Sequence, residues 1–316
     1  MRQLNKTIFP GIVLALAFAT GAKAQDATFR ADTRLVVLHA SVFDKNGKLV
    51  TNLGRDVFRV QENGVDQELK IFRREDVPVS LGLVIDNSGS MRDRRQRVEA
   101  AALALVKASN RDDEVLIVNF NDEAYEDVPF TNDIKKMQEG LTRIDSRGGT
   151  AMWDAVNMTM DHMKQKGKRD KKVILLITDG NDNMSSTSLE RLVQKAHTSD
   201  IVIHAIGLLA EEERREARKA KRGLDALTQA SGGMAFYPKA LSEVEEVALQ
   251  IAHDIRNQYI LAYSPTEQAL DGSFRQVKVT IQGNSRLTVR TRSGYYATPD
   301  TGGKTTLSRS EAGSGT

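Results

Sequence analysis

Five apolar runs, each separated from the next by helix-forming sequence, constrain this chain more than any other feature. They cover residues 81–85, 115–120, 173–177, 201–206 and 234–237. Several are rich in β-branched residues, as strands covered on both faces are expected to be. Residues 94–108, 134–144, 151–166, 189–196 and 244–256 read as the intervening helices. Strictly alternating β and α implies a mostly parallel sheet with helices on both faces, a doubly wound, Rossmann-like α/β domain over residues 77–257. Val128-Pro129-Phe130 fits a short edge strand, where proline is tolerated. The densely charged stretch 211–222 reads as a solvated helix with local Glu–Arg pairs.

The flanks have a different pattern. Residues 25–76 carry β signals at Leu35-Val36-Val37-Leu38, Ser41-Val42-Phe43 and Phe58-Arg59-Val60. Asn46-Gly47 and Asn63-Gly64 are strong hairpin turns, because both residue types accept positive φ. The second is expected to join 58–60 to 69–72. Residues 258–297 return to β, with Val277, Val279 and Ile281 alternating against Lys278 and Thr280. Each flank is small for an independent core. The expectation is one all-β, sandwich-like module built from both, with the α/β domain inserted between them. Residues 298–316 are Gly/Ser/Thr-rich and read as a disordered tail.

The formal charge of +3 on 316 residues is concentrated at the start. Arg2 and Lys6 precede an apolar stretch at 8–19, and Ala22-Lys23-Ala24 is a small-x-small cleavage signal. Residues 1–24 thus read as a secretory signal peptide, giving an exported, periplasmic or secreted protein. Removing its three bases leaves 42 Lys and Arg against 42 Asp and Glu. Balanced charge gives no support to a nucleic-acid partner. No other run is long enough to anchor the mature chain in a membrane. With no cysteine, stability rests on the core.

Two of the apolar runs end in hard oxygen donors. Asp86-Asn87-Ser88-Gly89-Ser90 follows 81–85, and Thr178-Asp179-Gly180 follows 173–177. A third stretch, Gly148-Gly149-Thr150, precedes a helix. Ligands of open parallel sheets collect where strands end, and hydroxyls with carboxylates suit magnesium, manganese or calcium. Asp86, Ser88, Ser90, Thr150 and Asp179 are therefore the candidate metal ligands. Taken singly, Asp86, Asp179 and Thr150 also fit helix caps and the serines fit turns. Gly89 is expected to supply a backbone conformation that larger residues resist. Asn181, Asp182 and Asn183 fit either a solvated turn or a second ion site.

These residues resemble the metal-ion-dependent adhesion site of the von Willebrand factor type A domain, over residues 77–257. The flanks are similar, more weakly, to bacterial exported proteins described as VWFA-related, common in Acidobacteria, through Phe58-Arg59-Val60-Gln61-Glu62-Asn63-Gly64 and Asp271-Gly272-Ser273-Phe274-Arg275. The resemblance implies that Ser88 and Ser90 bind the ion directly and that Thr150 does so when a ligand is engaged. Asp86 and Asp179 would act mostly through waters, or one of them directly in the resting state. It also implies a protein or peptide partner that presents Asp or Glu to the ion.

Enzyme chemistry has less support. A haloacid-dehalogenase-like phosphatase needs an acid two residues after its nucleophilic Asp, and Ser88 stands there. Neither a G-x-S-x-G elbow, an H-E-x-x-H helix nor a phosphate-binding loop occurs. His39, His162, His197, His204 and His253 adjoin none of the candidate motifs. The reading is an exported, magnesium-dependent protein-binding module without catalysis. The alternative is a structural or assembly factor for an envelope complex that binds through its β flanks independently of metal.

Overall fold

A computed structural model of the chain describes residues 35–74, 76–142, 146–209, 214–283 and 286–299. The expected signal peptide and all but the first two residues of the expected tail lie outside them.

The N-terminal flank forms β1 (Val36–Phe43), β2 (Phe58–Glu62), β3 (Val65–Gln67) and β4 (Leu69–Arg73). Asn63 and Gly64 both take positive φ, 48° and 82°, as a tight two-residue hairpin requires. That turn pairs β2 with β3, not with 69–72 as the sequence led us to expect. Leu69–Arg73 instead crosses to another sheet. A three-residue strand leaves no alternating pattern to read, which explains the misassigned partner.

The central α/β region follows. It contains β5 (Val79–Asp86), α1 (Arg95–Ala108), β6 (Glu114–Phe120), β7 (Ala124–Thr131), α2 (Ile134–Thr142), α3 (Met152–Lys166), β8 (Lys171–Thr178), α4 (Leu189–His197), β9 (Ile201–Gly207), α5 (Arg214–Ser231), β10 (Ala235–Phe236) and α6 (Val244–Arg256). The strand order is β10-β9-β8-β5-β6-β7. All neighbours are parallel except β7, which lies antiparallel on the β6 edge and contains Pro129. α5 continues well past the charged stretch to Ser231, because Leu224 and Leu227 supply a buried face there.

Strand alternation divides the core into two layers. Leu81, Leu83 and Ile85 of β5 and Val173, Leu175 and Ile177 of β8 pack with α1, α2 and α6. Val84, Ile174 and Leu176 point the other way, toward α3, α4 and α5. With a period of two, Asp86 falls on the same face as Val84, and Thr178 on the same face as Leu176. The parallel register Ile85↔Ile177 therefore brings Asp86 and Thr178 side by side on one face.

The C-terminal flank forms β11 (Tyr259–Tyr263), β12 (Phe274–Ile281), β13 (Thr288–Arg290) and β14 (Gly294–Tyr296). Each of two antiparallel sheets takes strands from both flanks: they alternate in β13-β1-β11-β4, and β12 pairs with β2 in β14-β12-β2-β3. Leu38, Val42 and Val60 from the first flank share one buried cluster with Leu261, Val277 and Val279 from the second. Glu62 is buried within this module, and its Oε2 accepts hydrogen bonds from Tyr263 at 2.7 Å and Tyr295 at 2.8 Å. Among the described residues no helix is long and apolar enough to cross a membrane.

Candidate functional site

The chain leaves β5 to build β6 and β7 on one side, then returns to build β8 on the other. The edge between the carboxyl ends of β5 and β8 is therefore the switch point of the sheet, where a crevice opens. Asp86 ends β5 and Asp179 follows β8 at that edge.

Asp86 is fully buried, and both its oxygens are used. Oδ1 accepts from the Ser88 N–H at 2.8 Å and Oδ2 from Thr178 Oγ1 at 2.6 Å. Burial pushes its carboxyl up to about 6, against the opposing effect of the hydrogen bonds from Ser88 and Thr178. Asp179 is also raised by burial, opposed by Ser90 and Arg94.

Three of the expected ligands form a chain of oxygens. Ser88 Oγ lies 3.1 Å from Ser90 Oγ, and Ser90 Oγ donates to Asp179 Oδ1 at 2.8 Å. Oxygen ligands on adjacent corners of an octahedral magnesium site, at about 2.1 Å from the ion, stand about 3.0 Å apart. The donor types and their spacing therefore fit a small divalent ion. Ser88 is buried and Ser90 exposed, so the cluster opens to solvent on the Ser90 side. Among the described residues no group of three His, Cys, Asp or Glu is assembled. This cluster has two carboxylates and relies on hydroxyls for the rest.

Thr150 is brought in by its loop. The Gly89 N–H donates to the Gly148 carbonyl at 3.2 Å, and the Arg147 N–H to the Asn87 carbonyl at 3.0 Å. Gly148 has φ +75°, and a Cβ there would stand 2.3 Å from Asp122 Oδ2. The strained glycine is thus Gly148. Gly89 lies outside the positive-φ region and has room for a Cβ, contrary to expectation, because the backbone reversal occurs in the facing loop.

Capping does not explain the candidates. Ala151 precedes α3 without a side-chain cap. Asp182 Oδ2 accepts from Trp153 N at 2.9 Å and Ser185 Oγ from Asp154 N at 3.0 Å, so the loop after β8 closes that helix end. Asn183 Oδ1 accepts from Thr150 N at 2.9 Å. These bonds make Asp182 and Asn183 part of the framework around Thr150 and the start of α3.

Other residues hold these loops, and of them Asp122 and Arg94 had no role assigned from the sequence. Asn87 is buried, and its Oδ1 accepts from Arg95 Nη1 at 2.6 Å while its Nδ2 donates to Tyr125 Oη at 2.8 Å. Asp122 Oδ1 accepts from Gly149 N at 2.7 Å and holds the Thr150 loop. Arg94 Nη1 donates to Asp179 Oδ2 at 2.6 Å. Asp122 stands just after β6, as Asp179 stands just after β8, and that shared position was its one sequence signal.

Residues 81–181 match the family described as von Willebrand factor type A domain. Calcium-activated chloride channel regulator 1 of Mus musculus is 28% identical over 166 residues, 49% of this chain and 16% of that protein. The Equus caballus protein of the same name is 28% identical over 163 residues, again 16% of its length. The chain thus spans about one-sixth of the curated relatives it matches. Among solved structures, the chain is similar to a von Willebrand factor type A protein from Catenulispora acidiphila, at 14% identity and TM-score 0.48, covering 86% of this chain and 76% of that one. It is also similar to proximal thread matrix protein 1 from the mussel byssus, described with a zinc-occupied MIDAS motif, at 15% identity and TM-score 0.49, covering 62% and 50%. The span that matches the von Willebrand factor type A family begins in β5 and ends just past Asp179, so it contains all five candidate ligands.

Proposed function

We propose that this protein is an exported binding module that captures an acidic side chain of a protein partner through a divalent ion, with magnesium the preferred one. The observation that carries the reading is the oxygen chain from Ser88 through Ser90 to Asp179, packed at the sheet's switch point and open on its Ser90 side. Ser88, Ser90 and Thr150 would hold the ion through hydroxyls, and Asp86 and Asp179 would balance its charge. The ion, when bound, supplies a positive centre with a coordination position that a carboxylate can fill. Arg92, Arg94 and the exposed Arg147 lie on the same loops, and a cationic rim favours an acidic partner. The exposed Met184 beside Gly149 adds an apolar contact. The signal-like residues 1–24 support export. Ser90 donates to Asp179, but Arg94 also holds that carboxylate and the pair is placed to share an ion, so binding without turnover is the consistent reading.

The test is capture of partners from an extracellular or periplasmic extract, with magnesium, with chelator, and with Thr150→Ala. The expected result is a partner retained only with magnesium and lost or weakened in the variant. Equal capture in all three conditions would overturn the reading and turn attention to the β flanks.

Ion binding should also depend on pH with a defined sign. An ion needs the ionised Asp86 carboxylate, whereas burial favours its neutral form up to about pH 6. Magnesium affinity is expected to be flat above about pH 7 and to fall as pH drops below about 6, by up to about tenfold per unit. Calorimetric titrations across this range check it; an affinity that rises on acidification would contradict it.

A further inference from the structure

Both oxygens of Asp179 already have partners within this chain. Oδ1 accepts from Ser90 Oγ at 2.8 Å and Oδ2 from Arg94 Nη1 at 2.6 Å. The same nitrogen donates to the Ser90 carbonyl at 3.0 Å. One guanidinium therefore bridges two of the five residues assigned to the ion. The pair is not an ordinary surface contact, since the Asp179 side chain is 2% exposed and that of Arg94 27%. A charge-assisted bond withdrawn from solvent in this way is stronger than an exposed one.

We propose that Arg94 is a tethered counter-cation that competes with the divalent ion for Asp179, and so sets the ion concentration at which the site loads. The inference rests on the metal-site reading above. Two cations cannot share one buried carboxylate without repulsion at close range. Arginine cannot relieve that repulsion by losing its proton. Relief must come from movement of the side chain, and Arg94 is free to make it, standing ahead of α1 and outside its hydrophobic face. Displaced from Asp179, its guanidinium would add a second positive group beside the ion. Ion loading and the cationic character of the rim are thereby coupled through one side chain.

The experiment is manganese binding, read from the electron paramagnetic resonance of the free ion, for the unmutated protein, Arg94→Gln, Arg94→Lys and Ser88→Ala. Arg94→Gln is expected to bind roughly tenfold more tightly than the unmutated protein, because the competing charge is gone. Arg94→Lys keeps the charge and is expected to stay within about threefold of the unmutated protein. Ser88→Ala is expected to bind more weakly than all three. Thermal unfolding in chelator should place Arg94→Gln below the unmutated protein, showing that the pair exists in the ion-free state. Equal or weaker manganese binding by Arg94→Gln, with binding still lost in Ser88→Ala, would overturn the role of Arg94 and leave the metal site standing. Absence of binding in all four proteins would overturn the metal site, and this inference with it.

Discussion

Asp86→Asn is expected to raise the stability of the ion-free protein and to abolish its response to magnesium. The two effects share one cause. Burial lifts the Asp86 carboxyl from an ordinary 3.8 to about 6. The folded state holds that proton to higher pH than the unfolded chain does. The cost is therefore absent below about pH 3.8 and fully present above about pH 6, where it amounts to up to about 3 kcal/mol. Asparagine removes the charge and keeps the shape. Its oxygen can accept from the Ser88 N–H, and its amide can donate to the Thr178 hydroxyl, replacing the two bonds seen here. A gain of about 1–3 kcal/mol in chelator is expected from removing the buried charge. The variant lacks a charge that the ion requires, so the stabilisation that a bound ligand gives by mass action should vanish. Denaturant unfolding of both proteins, with chelator and with magnesium, checks both halves. A variant less stable in chelator that still gains from magnesium would contradict the account. A stabilising change that removes function is expected where a buried charge is kept for binding.

Glu62→Leu is expected to destabilise the protein by about 2–6 kcal/mol, from roughly 1–3 kcal/mol for each of two buried hydroxyls that lose this acceptor. Its Oε2 receives both Tyr263 and Tyr295. Those tyrosines lie in β11 and β14, whereas Glu62 lies in β2. The carboxylate therefore ties the first flank to the second across the inserted α/β region. Glu62→Gln keeps an acceptor and should recover most of the loss. Ion binding should be unchanged in either variant, because Glu62 belongs to the β module and takes no part in the loops around Asp86. Chemical denaturation with a parallel ion titration separates these outcomes. A loss below about 0.5 kcal/mol for Glu62→Leu, the range of an ordinary surface change, would show that the flanks do not depend on this junction.

The legible part of the molecule was local in sequence. Residues 81–85 and 173–177 announced themselves as buried strands because every position in them meets a packed face. Asp86, Ser88, Ser90 and Asp179 could be placed near one another because parallel strand ends share an edge. The unread parts depended on partners distant in sequence. Arg94 was read only as the first residue of a helix, and the fold sets it against Asp179, 85 positions away. Nothing in the sequence tied Asp122 or Asn183 to Gly149-Thr150, yet they position the Thr150 loop through bonds to Gly149 and Thr150. Gly148 and Gly89 look alike as letters; their difference is a backbone angle set by the facing loop. β3 was too short to show a period, so its hairpin was credited to the next strand.

The most direct measurement is a crystal structure of the protein grown with manganese, with anomalous scattering recorded. One anomalous peak is expected beside Ser88 Oγ and Ser90 Oγ, with Arg94 drawn away from Asp179. An anomalous peak elsewhere, or no peak at millimolar manganese with Arg94 still bonded to Asp179, would contradict the assignment of these five residues to a single divalent ion.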